Sequence, residues 1–144
     1  MSNELSVKID VQATIRALTI GADKWEKAAA YALGQVALTV EREAKINAAT
    51  GTHPRGKGHL KGTGPGPNRV TGALQRSIHT EVRKGFGSYE AEVFPSMIYA
   101  RQVEIGGGKW PRGVNYPYMI PAGRSVKPRA NDIFTNAMAR KLRR

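Results

Sequence analysis

The stretch from about Lys24 to Ala48 most constrains what this chain can fold into. Trp25, Ala29, Leu33, Val36, Val40 and Ala44 recur at helical spacing, while Lys24, Lys27, Gln35, Glu41, Arg42 and Lys45 fall mostly elsewhere. That pattern predicts one long amphipathic helix. Its many alanines permit close approach of a sheet or a second helix. Asp23 followed by Glu26 reads as a capping box at its start, and Gly51 as a stop signal at its end. Gly34 costs the helix about 1 kcal/mol relative to Ala, too little to break it.

The segments around this helix alternate in kind. Leu5, Val7 and Ile9 alternate with Ser6 and Lys8, the period of a short strand. Asp10 can cap a short helix from Val11 to Ile20 that Gly21 ends. Ser77 to Lys84 reads as a strand with Ile78, Thr80 and Val82 on one side. Lys84 to Gly87 makes a turn, and Ser88 to Phe94 returns with Tyr89, Ala91 and Val93 inward and Glu90 and Glu92 outward. Arg83 and Lys84 then face an acidic strand, which favours pairing by ~0.2–1 kcal/mol per good pair. Met97 to Ile105 reads as a short helix ended by Gly106, Gly107 and Gly108. Tyr116 to Ile120 reads as a short edge strand, because Pro117 and Pro121 bar a central one. Arg129 to Leu142 reads as a closing helix with Ala130, Ile133, Phe134, Ala137, Met138 and Leu142 on one face. The expected fold class is α+β. A long N-terminal amphipathic helix and a C-terminal helix pack on a small, mostly antiparallel sheet, with long basic Gly/Pro loops. The 144 residues suit a single domain, 1–144, with one modest core.

Two loops break the pattern. Thr50 to Asn68 is dominated by Gly and Pro, and Leu60 is its only large apolar residue. Such a segment cannot offset its ordering entropy by burial, so a mobile basic arm is expected at about 50–69, carrying Arg55, Lys57, Lys61 and Arg69. Lys109 to Asn115 is a second basic loop, with Lys109, Trp110 and Arg112. Overall, 23 Lys and Arg stand against 11 Asp and Glu, a net charge of +12 that favours contact with something acidic. The chain has no cysteine, which excludes disulfide frameworks, thiolate catalysis and cysteine–zinc sites. Its first ten residues lack the apolar core of a signal peptide, and no window reaches the roughly 18 apolar residues of a membrane helix. The expectation is a protein made in the cytoplasm, with no membrane partner.

Reaction chemistry finds little support. Gly51 to Gly58 nearly matches a phosphate-binding loop, but Gly58 stands where the magnesium-binding hydroxyl belongs, and a helix rather than a strand precedes it. His53 and His59 share the first loop without an acidic third ligand, so no metal site is expected. Glu104, Glu81, His79 and several serines form no acid pair or nucleophile–base pair of recognisable spacing. Glu104, ending a short helix beside glycines, reads first as a structural hydrogen-bond acceptor and second as an intersubunit contact. Trp110 between basic residues could stack on a base, though such a residue more often fills a protein interface.

Three stretches stand in a telling order. Thr71, Gly72, Leu74, Ser77 and Ile78 fit T-G-x-L-x-x-S-I. Tyr99, Ala100, Val103, Glu104 and Gly106 fit Y-A-x-x-V-E-x-G. Pro117, Tyr118, Met119, Pro121 and Ala122 fit P-[FY]-[LM]-x-P-A. With the long helix before them and an amphipathic helix after, the chain resembles the tail-completion family of long-tailed bacteriophages, the minor tail protein Z type or neck family. The resemblance runs from the long helix to the end. Its first loop is longer and more basic than in the simplest members.

The resemblance implies an α+β virion protein, assembled in the host cytoplasm, with no enzymatic activity and no cofactor. It would form a homo-oligomeric ring, expected as a hexamer, where tail joins head. Its partners would be further copies of itself, a head-closure protein, a tail-terminator ring and the genomic DNA crossing the channel. Arg55, Lys57, Lys61, Arg69, Tyr99, Glu104, Lys109, Trp110 and Arg112 are the candidate interface residues. Two rival readings are a tail terminator that caps the tube and, from another class, a small basic DNA-binding protein.

Overall fold

Ala22–Asn47 forms a helix of 26 residues (α1) that runs through the molecule as its spine. The structure is a computed structural model that describes residues 7–10, 22–49, 72–107 and 115–144. The helix buries Ala28, Ala29, Ala32, Leu33, Val36, Ala37, Val40 and Ala44. Complete burial of a Leu or Val contributes about 1.5–3 kcal/mol, so Leu33, Val36 and Val40 anchor the core. The four alanines at 0% exposure, Ala28, Ala32, Ala37 and Ala44, let neighbouring elements approach the helix axis. The predicted helix is therefore present, with two corrections. Trp25 is 46% exposed, because it lies a turn ahead of Ala28, where close packing begins. Asp23 lies inside the first turn and pairs with Lys27 at 2.6 Å, so it does not act as the capping residue.

A three-stranded antiparallel sheet packs on α1. Its strands are Val7–Asp10 (β1), Ile78–Lys84 (β2) and Tyr89–Pro95 (β3), in the order β1-β3-β2. Ile9 pairs with Ala91 and Val7 with Val93 on one side of β3, and Val82 pairs with Ala91 and Thr80 with Val93 on the other. The hairpin matches the sequence reading in register and facing, except at two charges. Glu92, expected outward, is only 7% exposed, because β1 makes β3 the central strand and shields it from both sides. Glu92 lies directly opposite Glu81, an arrangement that repels. Arg83 offsets it, with its guanidinium 2.5 Å from Glu81 and 3.7 Å from Glu92. Lys84 does not serve the return strand; it bonds Glu26 of α1 at 2.8 Å.

The remaining helices are Ala73–Ser77 (α2), Ala100–Ile105 (α3), Met119–Val126 (α4) and Ala130–Leu142 (α5), the last entered through a 3-10 turn at Lys127–Arg129. Helix α2 lies where the strand was expected to begin: Gly72 takes φ 74°, and Ser77 Oγ donates to the Leu74 carbonyl at 2.7 Å. Helix α3 is shorter than the predicted Met97 to Ile105, beginning only at Ala100. Helix α5 turns the predicted face inward, with Ala137 buried and Ala130, Ile133 and Phe134 packed at the edge of the core. The two sides of α1 are distinct. Gly34 and Glu41 meet β2, whereas Tyr31, Gln35 and Thr39 look towards α5. The predicted helix at 11–20, the arm at 50–69, Thr71 and the loop at 109–114 lie outside the described residues.

Candidate functional site

The expected edge strand at Tyr116 to Ile120 is instead the start of a helix, and Glu104 is the reason. An α-helix begins with backbone N–H groups that have no partner inside it. Here the Glu104 carboxylate takes three of them. Oε2 accepts from Tyr118 N at 2.7 Å and Met119 N at 2.9 Å, and Oε1 accepts from Ile120 N at 2.7 Å. The next residue, Pro121, has no N–H to satisfy and suits the first turn of a helix. One carboxylate and one proline thus account for the whole first turn of α4. The two prolines that argue against a strand are the residues that let a helix start.

The surroundings hold Glu104 in place. Its side chain is 1% exposed. Gly106 ends α3 at φ 76°, ψ −173°, a backbone state open almost only to glycine. The returning chain is tied to α3 by Tyr116 N donating to the Val103 carbonyl at 2.7 Å and Asn115 Nδ2 donating to the Glu104 carbonyl at 3.2 Å. Tyr118 is fully buried, its hydroxyl 3.4 Å from the Ala100 carbonyl. Burial, and secondarily the charge of Glu104, push the Tyr118 phenol well above its ordinary pKa. Asn47, at the end of α1, donates to the Tyr118 carbonyl at 3.1 Å. The cluster binds three helices together.

Of the candidate interface residues, Tyr99 and Glu104 are among the described ones. Tyr99 precedes α3 and is half-buried against the core; Glu104 acts inside the subunit as a hydrogen-bond acceptor. Arg55, Lys57, Lys61, Arg69, Lys109, Trp110 and Arg112 lie outside the described residues. Among the described residues, no group of three His, Asp or Glu side chains is placed to hold a metal, and no helix is long and apolar enough to cross a membrane.

Surface features that the sequence reading passed over are plainer in the structure. Phe86, at the tip of the β2–β3 hairpin, is fully exposed, and so is Ile98 just ahead of α3. On the other side of α1, a groove of about 260 Å³ opens between α1 and α5, with Tyr31, Ile133 and Ala137 in its walls and Arg129 and Arg140 at its edge. A large apolar side chain between two turn glycines was the available signal for Phe86. The groove had none, because it depends on how two distant helices cross.

Comparison with protein-family models, with curated proteins and with solved structures gives no match.

Proposed function

We propose that the chain is a structural subunit of a phage neck, of the tail-completion kind, working by ring assembly around the DNA channel rather than by catalysis. The observation that carries the reading is the link between two of its motifs. Glu104 of Y-A-x-x-V-E-x-G caps the helix opened by P-Y-M-x-P-A, so the two motifs behave as one physical unit. Ala100 and Ala122, both nearly without exposure, leave room for that close approach. Gly72 and Ile78 of the first motif likewise have structural reasons, a positive φ and complete burial. Residues that belong together for such reasons make a chance resemblance less economical.

Fully exposed Phe86 and Ile98 agree with a subunit that finishes its burial against neighbours. Its partners in this reading are further copies, a head-closure protein and a tail-terminator ring. Loss of the protein during phage assembly tests the proposal. Tails of normal length that fail to join heads are expected. Tails of uncontrolled length would assign the terminator role instead, and normal infectious particles would end both readings.

A further inference from the structure

The hairpin tip and the α1–α5 groove are unlike surfaces on one chain, and their chemistry is complementary. Gly85 N donates to the Ser88 carbonyl at 2.8 Å, and Gly87 takes φ +74°, so a closed turn presents Phe86. Every residue from 81 to 88 is exposed, which leaves the end of the hairpin standing clear of the body. Phe86 therefore contributes no packing to its own subunit. The groove offers an aromatic ring what solvent does not: apolar contact from Ile133 and Ala137, and the guanidinium groups of Arg129 and Arg140, which attract an aromatic face.

Charge runs the same way. Residues 115–144 carry Arg124, Lys127, Arg129, Arg140, Lys141, Arg143 and Arg144 against Asp132 alone. The hairpin carries Glu81, Glu90 and Glu92; Arg83 lies between Glu81 and Glu92, and Lys84 is turned back to Glu26.

We infer that the hairpin tip of one copy, led by Phe86, seats in the α1–α5 groove of the next copy. The inference rests on the ring reading above and names the surfaces that would build it. The contact is heterologous, since tip and groove are different patches, so each copy offers one of each and repetition about an axis closes a ring. The acidic hairpin lies along the basic α5 side of its neighbour, which orients the approach.

The full-length chain tests this by light scattering. The wild type is expected to form a closed oligomer and Phe86→Asp a monomer, with unchanged circular dichroism and melting temperature, because Phe86 packs on nothing within the subunit. Asn136→Trp, which fills the groove from its wall, is expected to give the same loss. The absence of native cysteine permits a second arm. Phe86→Cys and Asn136→Cys chains, mixed and oxidised, are expected to cross-link to each other, and neither with itself. An oligomer that survives Phe86→Asp, or a mixture that fails to cross-link, overturns the tip-in-groove contact and leaves the ring standing. A wild type that is monomeric at every concentration overturns the contact and the ring together.

Discussion

Glu104 is the residue on which the end of the chain turns. Its two oxygens accept three backbone N–H bonds at the start of α4, and nothing else on the page could take their place at that depth. Leaving a buried donor unsatisfied costs about 1–3 kcal/mol, and a carboxylate at a helix N-terminus adds ~0.3–2 kcal/mol. Glu104→Gln, which sets an amide N–H₂ against a backbone donor, is expected to destabilise by about 2 kcal/mol, and Glu104→Ala by about 3–5 kcal/mol. Chemical denaturation reads both; a change below about 0.5 kcal/mol would mean that water replaces the cap. Glu41 works at the same scale, on the other side of the core. Burial by itself would raise its pKa, but hydrogen bonds from Lys45 and Thr80 outweigh it and hold the carboxyl below its ordinary 4.5. A carboxylate with a depressed folded-state pKa stabilises the protein above the unfolded value, and that stability is lost as pH falls through the folded one. Stability is therefore expected to fall as pH drops below 4.5. Glu41→Gln should flatten that acid limb in melts taken across the range, and an unaltered limb would assign it to other carboxylates.

Elements differ in how far their residues announce them. Helix α1 and the β2–β3 hairpin follow periods that are local properties, so their existence and facing were readable. Gly34 illustrates the remaining latitude. It sits mid-helix, where Gly is worth about 1 kcal/mol less than Ala. A Cβ built there would meet Val82 Cγ2 at 3.6 Å, an ordinary van der Waals contact. Gly34→Ala is accordingly expected to stabilise by about 0.5–1 kcal/mol, read as a raised denaturation midpoint. A lowered midpoint would show that helix and sheet need a closer approach than this. Helix α4 is the opposite case. Pro117 and Pro121 break any local strand or helix pattern, and only a side chain from α3 makes the helix possible. The burial of Glu92 was equally hidden, since alternation alone marks it as outward and only the arrival of β1 covers it.

At the scale of the whole molecule, charge is unevenly spread: the α4–α5 region holds seven cations against Asp132, while the hairpin holds three carboxylates. A surplus of +12 attracts any polyanion at low salt. For a ring subunit, weak binding of duplex DNA at low salt is expected, vanishing near physiological ionic strength as counterion release loses its drive. Electrophoretic mobility across a salt series measures it, and tight binding that survives would favour the DNA-binding reading over the neck. Composition and periodicity alone determined the mixed α+β class, the spine helix, the hairpin, the closing helix and the excess of positive charge. Each is a sum over residues or a pattern within a few turns of chain. Tertiary structure alone decided that Glu104 caps α4, from 14 to 16 residues away, that β3 is central, and that Phe86 and a groove lie on separate faces. Those outcomes depend on which distant segments meet, and the free energy of such meetings belongs to the packed core rather than to any local pattern.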